Sequence, residues 1–416
     1  MITIRKPYTK EYQGTTRLCA DILLGDVNKT FYFEVAKEYE PYLCTEVSDA
    51  FLVGILNYAM FNGEDIKVEG AVSERLLYQI KTYFLVTLPV VRPRAYKRIN
   101  VEAEPYIGKI NTEGAVGTSA SGGVDSYYSI SVHTKDVPQD YRLTHLLIAN
   151  QFNHYVSEED TRKKFEDLLS RSQPIAENYG LKLVGVYTNH NDFLFDGFVQ
   201  EYSLRICSYV LALQKLFGVY YVSSGVPFGE FDFASHDSDG FDVLNLALMS
   251  TNSLTFYSSG GEVWRTQKIK RFADDPFIQK NLKVCNNSDD RNCCTCEKCM
   301  RTMLSLDIIG KLPEFKESFN HSAFQRGKFK YLIVVESNTI EASRDLLRSI
   351  REYDYHVPTM TILIGRTLYR LGCYIKSKIK KIHFLREIYF KLKIDYLIYG
   401  EKQARTYRYG TKYEVR

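Results

Sequence analysis

Ala115-Val116-Gly117-Thr118-Ser119-Ala120-Ser121-Gly122-Gly123-Val124-Asp125-Ser126 runs from a small-residue strand, through a glycine pair, into a helical stretch at 126–134. Two adjacent glycines let the backbone turn tightly and aim consecutive N–H groups at one point, which makes an anion-binding nest. The helix that follows adds free N–H donors and a favourable dipole. Ser121 and Ser126 supply hydroxyls. Asp125 repels phosphate, so its task is to fix the loop or to hold Mg²⁺. No Lys stands where the Walker A loop keeps its phosphate-binding Lys, so this is a different phosphate cradle.

Outward from the loop, the chain alternates between two periods. Leu143 to Phe152, Leu181 to Thr188 and Val219 to Ser224 read as strands, with helical stretches at 158–179 and 199–217 between them. Strand–helix–strand alternation at this spacing predicts an α/β fold, a parallel sheet covered by helices on both faces. Ligands of such sheets sit beyond the carboxyl ends of the strands. Residues 1–110 mix alternating segments such as Thr30 to Val35 with helical ones, Ser48 to Phe61 after a Ser48 N-cap and Ser73 to Phe84. They predict an N-terminal α+β domain, followed by the α/β domain at 111–310 and a helical extension at 311–416.

The chain has 416 residues, 45% hydrophobic and 25% charged, and a net charge of +4, which excludes a bulk polyanion binder. The N-terminus lacks the apolar core of a signal peptide, and no stretch approaches the roughly 18 apolar residues of a membrane span. Both point to the cytoplasm. Charge is uneven: 366–416 holds 14 Lys and Arg against 4 Asp and Glu, a net +10, which leaves −6 for the rest. Ile375 to Ile394 places isoleucines and leucines on one helical face with Lys376, Lys380, Lys381 and Lys391 mainly elsewhere. Such a tail suits an anionic membrane surface or a polyanion, or a helix that packs by its apolar face and leaves its charges solvated. A homodimer also stays open.

Five of the nine cysteines fall between Cys285 and Cys299. Clustering of this kind reads as metal ligation in a reducing compartment rather than as a disulfide framework. Cys293, Cys296 and Cys299, with Cys285 upstream, can wrap one tetrahedral ion, with Zn²⁺ the usual occupant and an iron–sulfur cluster the alternative. Cys294 stands where a Gly would ease the turn and reads as a bystander. A closed four-thiolate site serves folding rather than chemistry.

The string Ser121 to Ser126 resembles the SGGxDS signature of the PP-loop ATP pyrophosphatases at every fixed position. At average residue usage, such a match arises by chance in about one chain of this length in two thousand. Together with the Cys-x7-CxxCxxC spacing, the loop is similar to that of 7-cyano-7-deazaguanine synthase over about half the chain, 111–310. The resemblance implies an adenine nucleotide alpha-hydrolase-like fold, with ATP held through Ser121, Gly122, Gly123, Val124, Asp125 and Ser126. It further implies that a substrate oxygen attacks the α-phosphorus and pyrophosphate leaves, after which a nucleophile displaces AMP. Lys268, in Gln267-Lys268-Ile269, resembles a Lys at a helix start in that family and joins Asp125 and Ser126 as a catalytic candidate. Arg205 resembles a family Arg and joins the nucleotide-binding set. The implied cofactors are ATP, Mg²⁺ and Zn²⁺. Two positions differ from the family: Cys294 replaces a Gly, and the Arg beyond the cluster is shifted to Arg301.

The acceptor is expected to be a small carboxylate or carbonyl compound. An ATP-dependent epimerase or amidating enzyme acting on a glycan or peptidoglycan precursor is the alternative, and a non-catalytic nucleotide-binding scaffold is another. Glu230, Asp232, Asp237, Asp239 and Asp242 form a polar loop that either contacts substrate and Mg²⁺ or is merely solvated. Arg265, Lys268, Lys270 and Arg271 are candidates to pair with pyrophosphate. Gly260-Gly261 reads as a hairpin turn, and His154 and His236 as hydrogen-bonded loop residues. Asp125→Ala is expected to abolish turnover while sparing the fold.

Overall fold

The structure, a computed structural model, describes residues 1–93, 95–150, 157–193, 198–233, 238–285, 291–337 and 341–379. It forms two compact units, Met1–Phe272 and Ala273–Arg416.

The first unit holds eleven strands in one sheet. In chain order they are β1 (Ile2–Ile4), β2 (Tyr8–Tyr12), β3 (Thr15–Leu24), β4 (Val27–Ala36), β5 (Ile66–Ser73), β6 (Val101–Tyr106), β7 (Ala115–Ser119), β8 (His145–Ala149), β9 (Lys182–Thr188), β10 (Phe217–Ser223) and β11 (Thr255–Ser259). Its helices are α1 (Asp49–Asn62), α2 (Glu74–Gln79), α3 (Leu85–Val91), α4 (Val124–His133), α5 (Glu158–Tyr179), α6 (Phe198–Leu211), α7 (Asp242–Leu248) and α8 (Arg265–Phe272). The sheet order is β11-β10-β7-β8-β9-β4-β3-β1-β5-β6, with β2 on the side of β3.

From β11 to β9 every pairing is parallel. The expected α/β class, a large mostly parallel sheet flanked by helices, is therefore present. The residue pattern gives the cause: all five residues of β8, His145 to Ala149, are buried, as a strand covered on both faces requires. β7 is first in the chain, yet β8 and β9 lie to one side of it and β10 and β11 to the other. The right-handed crossover rule then puts α4 and α5 on one face and α6 and α7 on the opposite face.

The N-terminal α+β region shares this sheet rather than forming one of its own, because β4 pairs antiparallel with β9. Polar side chains lengthen the two-residue ladder. Thr188 Oγ1 donates to the Tyr32 carbonyl at 2.7 Å, and Asn189 accepts from Tyr32 N–H and donates to the Thr30 carbonyl. One core spans both regions, with α1 and α6 packed together against the sheet. Gly54 permits that approach: a Cβ there would stand 2.6 Å from the Phe31 ring and 2.7 Å from Ser208 Oγ.

The second unit is helical: α9 (Pro276–Asn281), α10 (Glu297–Ile308), α11 (His321–Glu336), α12 (Glu341–Glu352) and α13 (Thr359–Ile379). Phe315, Phe324, Met303, Leu306 and Leu346 fill its interior. Among the described residues no helix is long and apolar enough to cross a membrane. Most of the basic tail, with His154, His236 and Asp237, lies outside the described residues.

Three local expectations change. Ser48 stands at the N-cap of α1, but its buried hydroxyl makes no capping bond and has no partner among the described residues. The helix predicted over Ser73 to Phe84 is interrupted by a π-turn at Ile80–Phe84 and continues to Val91. Gly260-Gly261 makes no hairpin, since β11 pairs in parallel with β10 and the chain then enters α8.

Candidate phosphate site and cysteine cluster

The loop after β7 is built as its residue types demand. Gly122 lies at φ +71°, in the left-handed region that costs a side chain about 1–2 kcal/mol. Gly123 is extended and caps α4 without a side-chain acceptor, so the first-turn N–H donors get no bond from the N-cap side chain. Ser126 Oγ donates to the Gly123 carbonyl at 3.1 Å, and Ser121 Oγ meets Ser126 Oγ at 3.2 Å, which closes the loop on itself. Val124 and Ser126 are buried beneath it.

Asp125 is gripped from α8. Arg265 Nη1 reaches its Oδ2 and Lys268 Nζ its Oδ1, each at 3.0 Å. Lys268 Nζ also donates to the Ser224 carbonyl, just past β10, at 2.6 Å. The Lys268 side chain is only 2% exposed, whereas Asp125 keeps 28%. Spacing on the helix explains the pair, because positions three apart share a face. Gln267 fixes where that helix begins by accepting from the Trp264 N–H at 3.0 Å, half of a capping box. Lys268 thus ties the end of β10 to the helix that follows β7, at the crevice where the strand order reverses.

The remaining cations and acids divide. Arg271 pairs with Asp136 on the surface, and Lys270 is exposed. Asp242 is buried and accepts from Ser258 Oγ at 3.3 Å. Burial pushes its carboxyl up to about 6, against the pull of Ser224, Ser258, the Val243 N–H and the nearby Lys268 charge. Asp239 Oδ2 lies beside Gly225, 3.1 Å from where a Cβ would stand. Burial, helped by Asp239, Asp125 and Asp242, pushes the Tyr202 phenol well above its ordinary value, so it stays a neutral donor. Glu230 and Asp232 sit toward solvent in the same loop. Arg205 is buried on α6, and its Nη2 donates to Asn191 Oδ1 at 2.9 Å beyond β9, two strands along from β7. Burial pulls its guanidinium down to about 10 despite Glu201.

Asp125 pairs with a Lys268 side chain that is 2% exposed, so its removal is expected to cost stability. The cost for a fully buried pair, about 3–5 kcal/mol, is the upper range because Asp125 itself is 28% exposed.

In the second unit the sulfurs of Cys285, Cys293, Cys296 and Cys299 all lie within 4.8 Å of one another. Cys285 to Cys296 is 3.9 Å and Cys293 to Cys299 is 4.0 Å. A tetrahedron with metal–sulfur bonds of about 2.3 Å needs edges near 3.8 Å, so the four thiols fit one metal ion. Cys296 caps α10 and Cys299 is in its first turn. Asn292 Oδ1 accepts from the Val284 and Cys285 N–H groups while its Nδ2 donates to the Leu282 and Ser318 carbonyls, which binds the two arms of the site together. Burial raises the Cys293 thiol, but the N–H groups of Thr295 and Cys296 outweigh it and bring it down to about 6. Cys294 sits at φ +58°, the left-handed position a Gly would take, and its sulfur accepts from the Asn320 N–H rather than joining the cluster.

Sequence reasoning missed Tyr202 and the Ser224 carbonyl. A backbone oxygen has no residue-type signature, and one phenol among 32 tyrosines has no distinguishing context. Compared with protein-family models, curated proteins and solved structures, the chain matches none.

Proposed function

We propose that this chain is an AMP-forming ATP pyrophosphatase of the PP-loop type, similar to 7-cyano-7-deazaguanine synthase. It adenylates a carboxylate or carbonyl oxygen of a small acceptor. The observation that carries this reading is the convergence of Lys268 and Arg265 on Asp125, where α4 opens at the strand-order reversal. In this reading the N–H groups of Gly122 to Asp125 and the Ser121 and Ser126 hydroxyls hold the terminal phosphates of ATP. Asp125, a hard oxygen donor that keeps solvent access, suits Mg²⁺. Lys268 and Arg265 neutralise charge that builds on the departing pyrophosphate as the acceptor oxygen bonds the α-phosphorus. The α–β phosphoanhydride bond breaks, pyrophosphate takes the electron pair, and AMP stays on the acceptor. A second nucleophile then releases AMP.

The cysteine cluster takes zinc in this proposal. Four thiolates leave no open position, so the ion supports folding of the second unit.

Product analysis tests the catalytic reading. Incubation with Mg-ATP and candidate carboxylates should give AMP and pyrophosphate by chromatography, and ADP with phosphate as the only products would sink it.

A further inference from the structure

A cavity opens on the same carboxyl edge of the sheet as the phosphate loop. It has a volume of about 480 Å³, and its floor is Asn150 after β8 and Thr188–Asn189 at the end of β9. β9 lies two strands from β7, so the floor begins roughly 5–10 Å across the sheet from the loop. The far wall comes from the N-terminal strands, through Tyr12, Arg17 and Tyr32.

The wall is rigid and its charges are committed. The Arg17 guanidinium lies 3.3 Å from the centre of the Tyr12 ring and 3.9 Å from that of Tyr32. Its Nε and Nη2 both reach Glu34 Oε2 at 2.8 Å. Glu34 is 4% exposed and also holds Arg162. Arg17 is therefore a brace that fixes two phenols at the rim, not an open receptor for an anion. Burial pushes the Tyr32 phenol up, so it remains a hydroxyl donor. The exposed lining groups are the carboxylates of Glu158 and Asp192, which accept from hydroxyls and repel phosphate. Phenols facing carboxylates across a polar cavity suit a ring that carries several hydroxyls.

We propose that this pocket binds the sugar ring of a sugar-acid acceptor, with the ring between the Tyr12 and Tyr32 rim and the Glu158 and Asp192 carboxylates, and the acid group turned toward the phosphate loop. The N-terminal strands then belong to the catalytic site as its specificity wall. The inference rests on the adenylation reading for its acid group, but the pocket itself can be tested without ATP.

The experiment is saturation-transfer NMR on the full chain with D-glucuronate, D-galacturonate and N-acetylneuraminate at millimolar concentration. Ring protons of at least one should receive saturation. Tyr12→Phe and Asp192→Asn, which keep shape, should each weaken that binding about threefold to tenfold, the loss of one hydrogen bond. No transfer to any of the three overturns the proposal, as does binding that both variants leave unchanged. Displacement of the sugar by ATP, with both variants weakening ATP affinity, would assign the pocket to the nucleotide's own ribose and also overturn it. Sugar binding that persists where no AMP forms keeps the pocket and sinks the adenylation reading instead.

Discussion

The glycine loop before α4 and the cysteine cluster are both short motifs that run into a helix N-terminus, yet they are completed over very different distances. The cluster closes within the chain segment that carries it, through cysteines 11 and 6 residues apart. The loop is completed by Arg265 and Lys268, which are 140 and 143 residues from Asp125. A site closed locally is a folding unit in miniature, and a single lost ligand undoes it. A site closed at long range draws on the whole sheet, so its parts can fail separately.

That contrast can be broken most forcefully at the metal. Elemental analysis should find about one equivalent of zinc per chain. Cys299→Ser, at a fully buried ligand, should abolish binding and melt the second unit early in calorimetry, since structural zinc contributes on the order of 10 kcal/mol. Cys294→Ala should keep the metal. Iron in place of zinc, or full metal content in Cys299→Ser, contradicts the assignment.

Next in size is the long-range pair. Asp125→Ala should lower AMP formation by about 10²–10³ and cost about 3 kcal/mol in urea unfolding, because Lys268 is left buried without its carboxylate. The double variant Asp125→Ala with Lys268→Met should regain most of the stability and none of the activity. A single variant as stable as the parent would mean that Lys268 draws little from Asp125.

Asp242 sharpens the comparison through pH. Its folded carboxyl sits at about 6, above the ordinary carboxylate range, so the folded chain binds this proton more tightly than the unfolded chain. Its contribution to stability is fully present below about pH 4 and is lost as pH rises through about 6. A shift of this size corresponds to roughly 2–3 kcal/mol. Asp242→Asn should therefore unfold at higher urea than the parent near pH 7, with the advantage shrinking toward pH 4. An advantage that is constant with pH would locate the effect outside this titration.

The smallest effect is expected at Gly122. Gly122→Ala places a side chain at φ +71° and should cost about 1–2 kcal/mol, with weaker ATP binding by calorimetry. An unchanged melting curve would show that the loop can relax to negative φ.

The parallel strands were legible because each is a short apolar run between breakers: Ala115 to Ser119 is found unchanged, and Leu181 to Thr188 differs by one residue. β11 was not, since Thr255-Phe256-Tyr257-Ser258-Ser259 has neither a continuous apolar run nor clean alternation. Its pairing with β10 is what makes it a strand. The clustering of Cys285, Cys293, Cys296 and Cys299 was legible from spacing alone, and Cys294 lies outside that set. The four basic residues of α8 could not be sorted along the sequence. Only the packed helix shows that Arg265 and Lys268 face Asp125 while Arg271 faces Asp136.

The glycine turn, the cysteine spacing and the alternation that demands a covered parallel sheet all depend on neighbours along the chain, and could be read from it. The order of the strands, the fusion of β4 to β9, and the burial of Lys268 against Asp125 and Ser224 emerge only once the chain is folded. The difference is one of range. Backbone sterics and ligand spacing act over a few residues, whereas strand pairing and ion-pair desolvation depend on which distant segments the fold brings together.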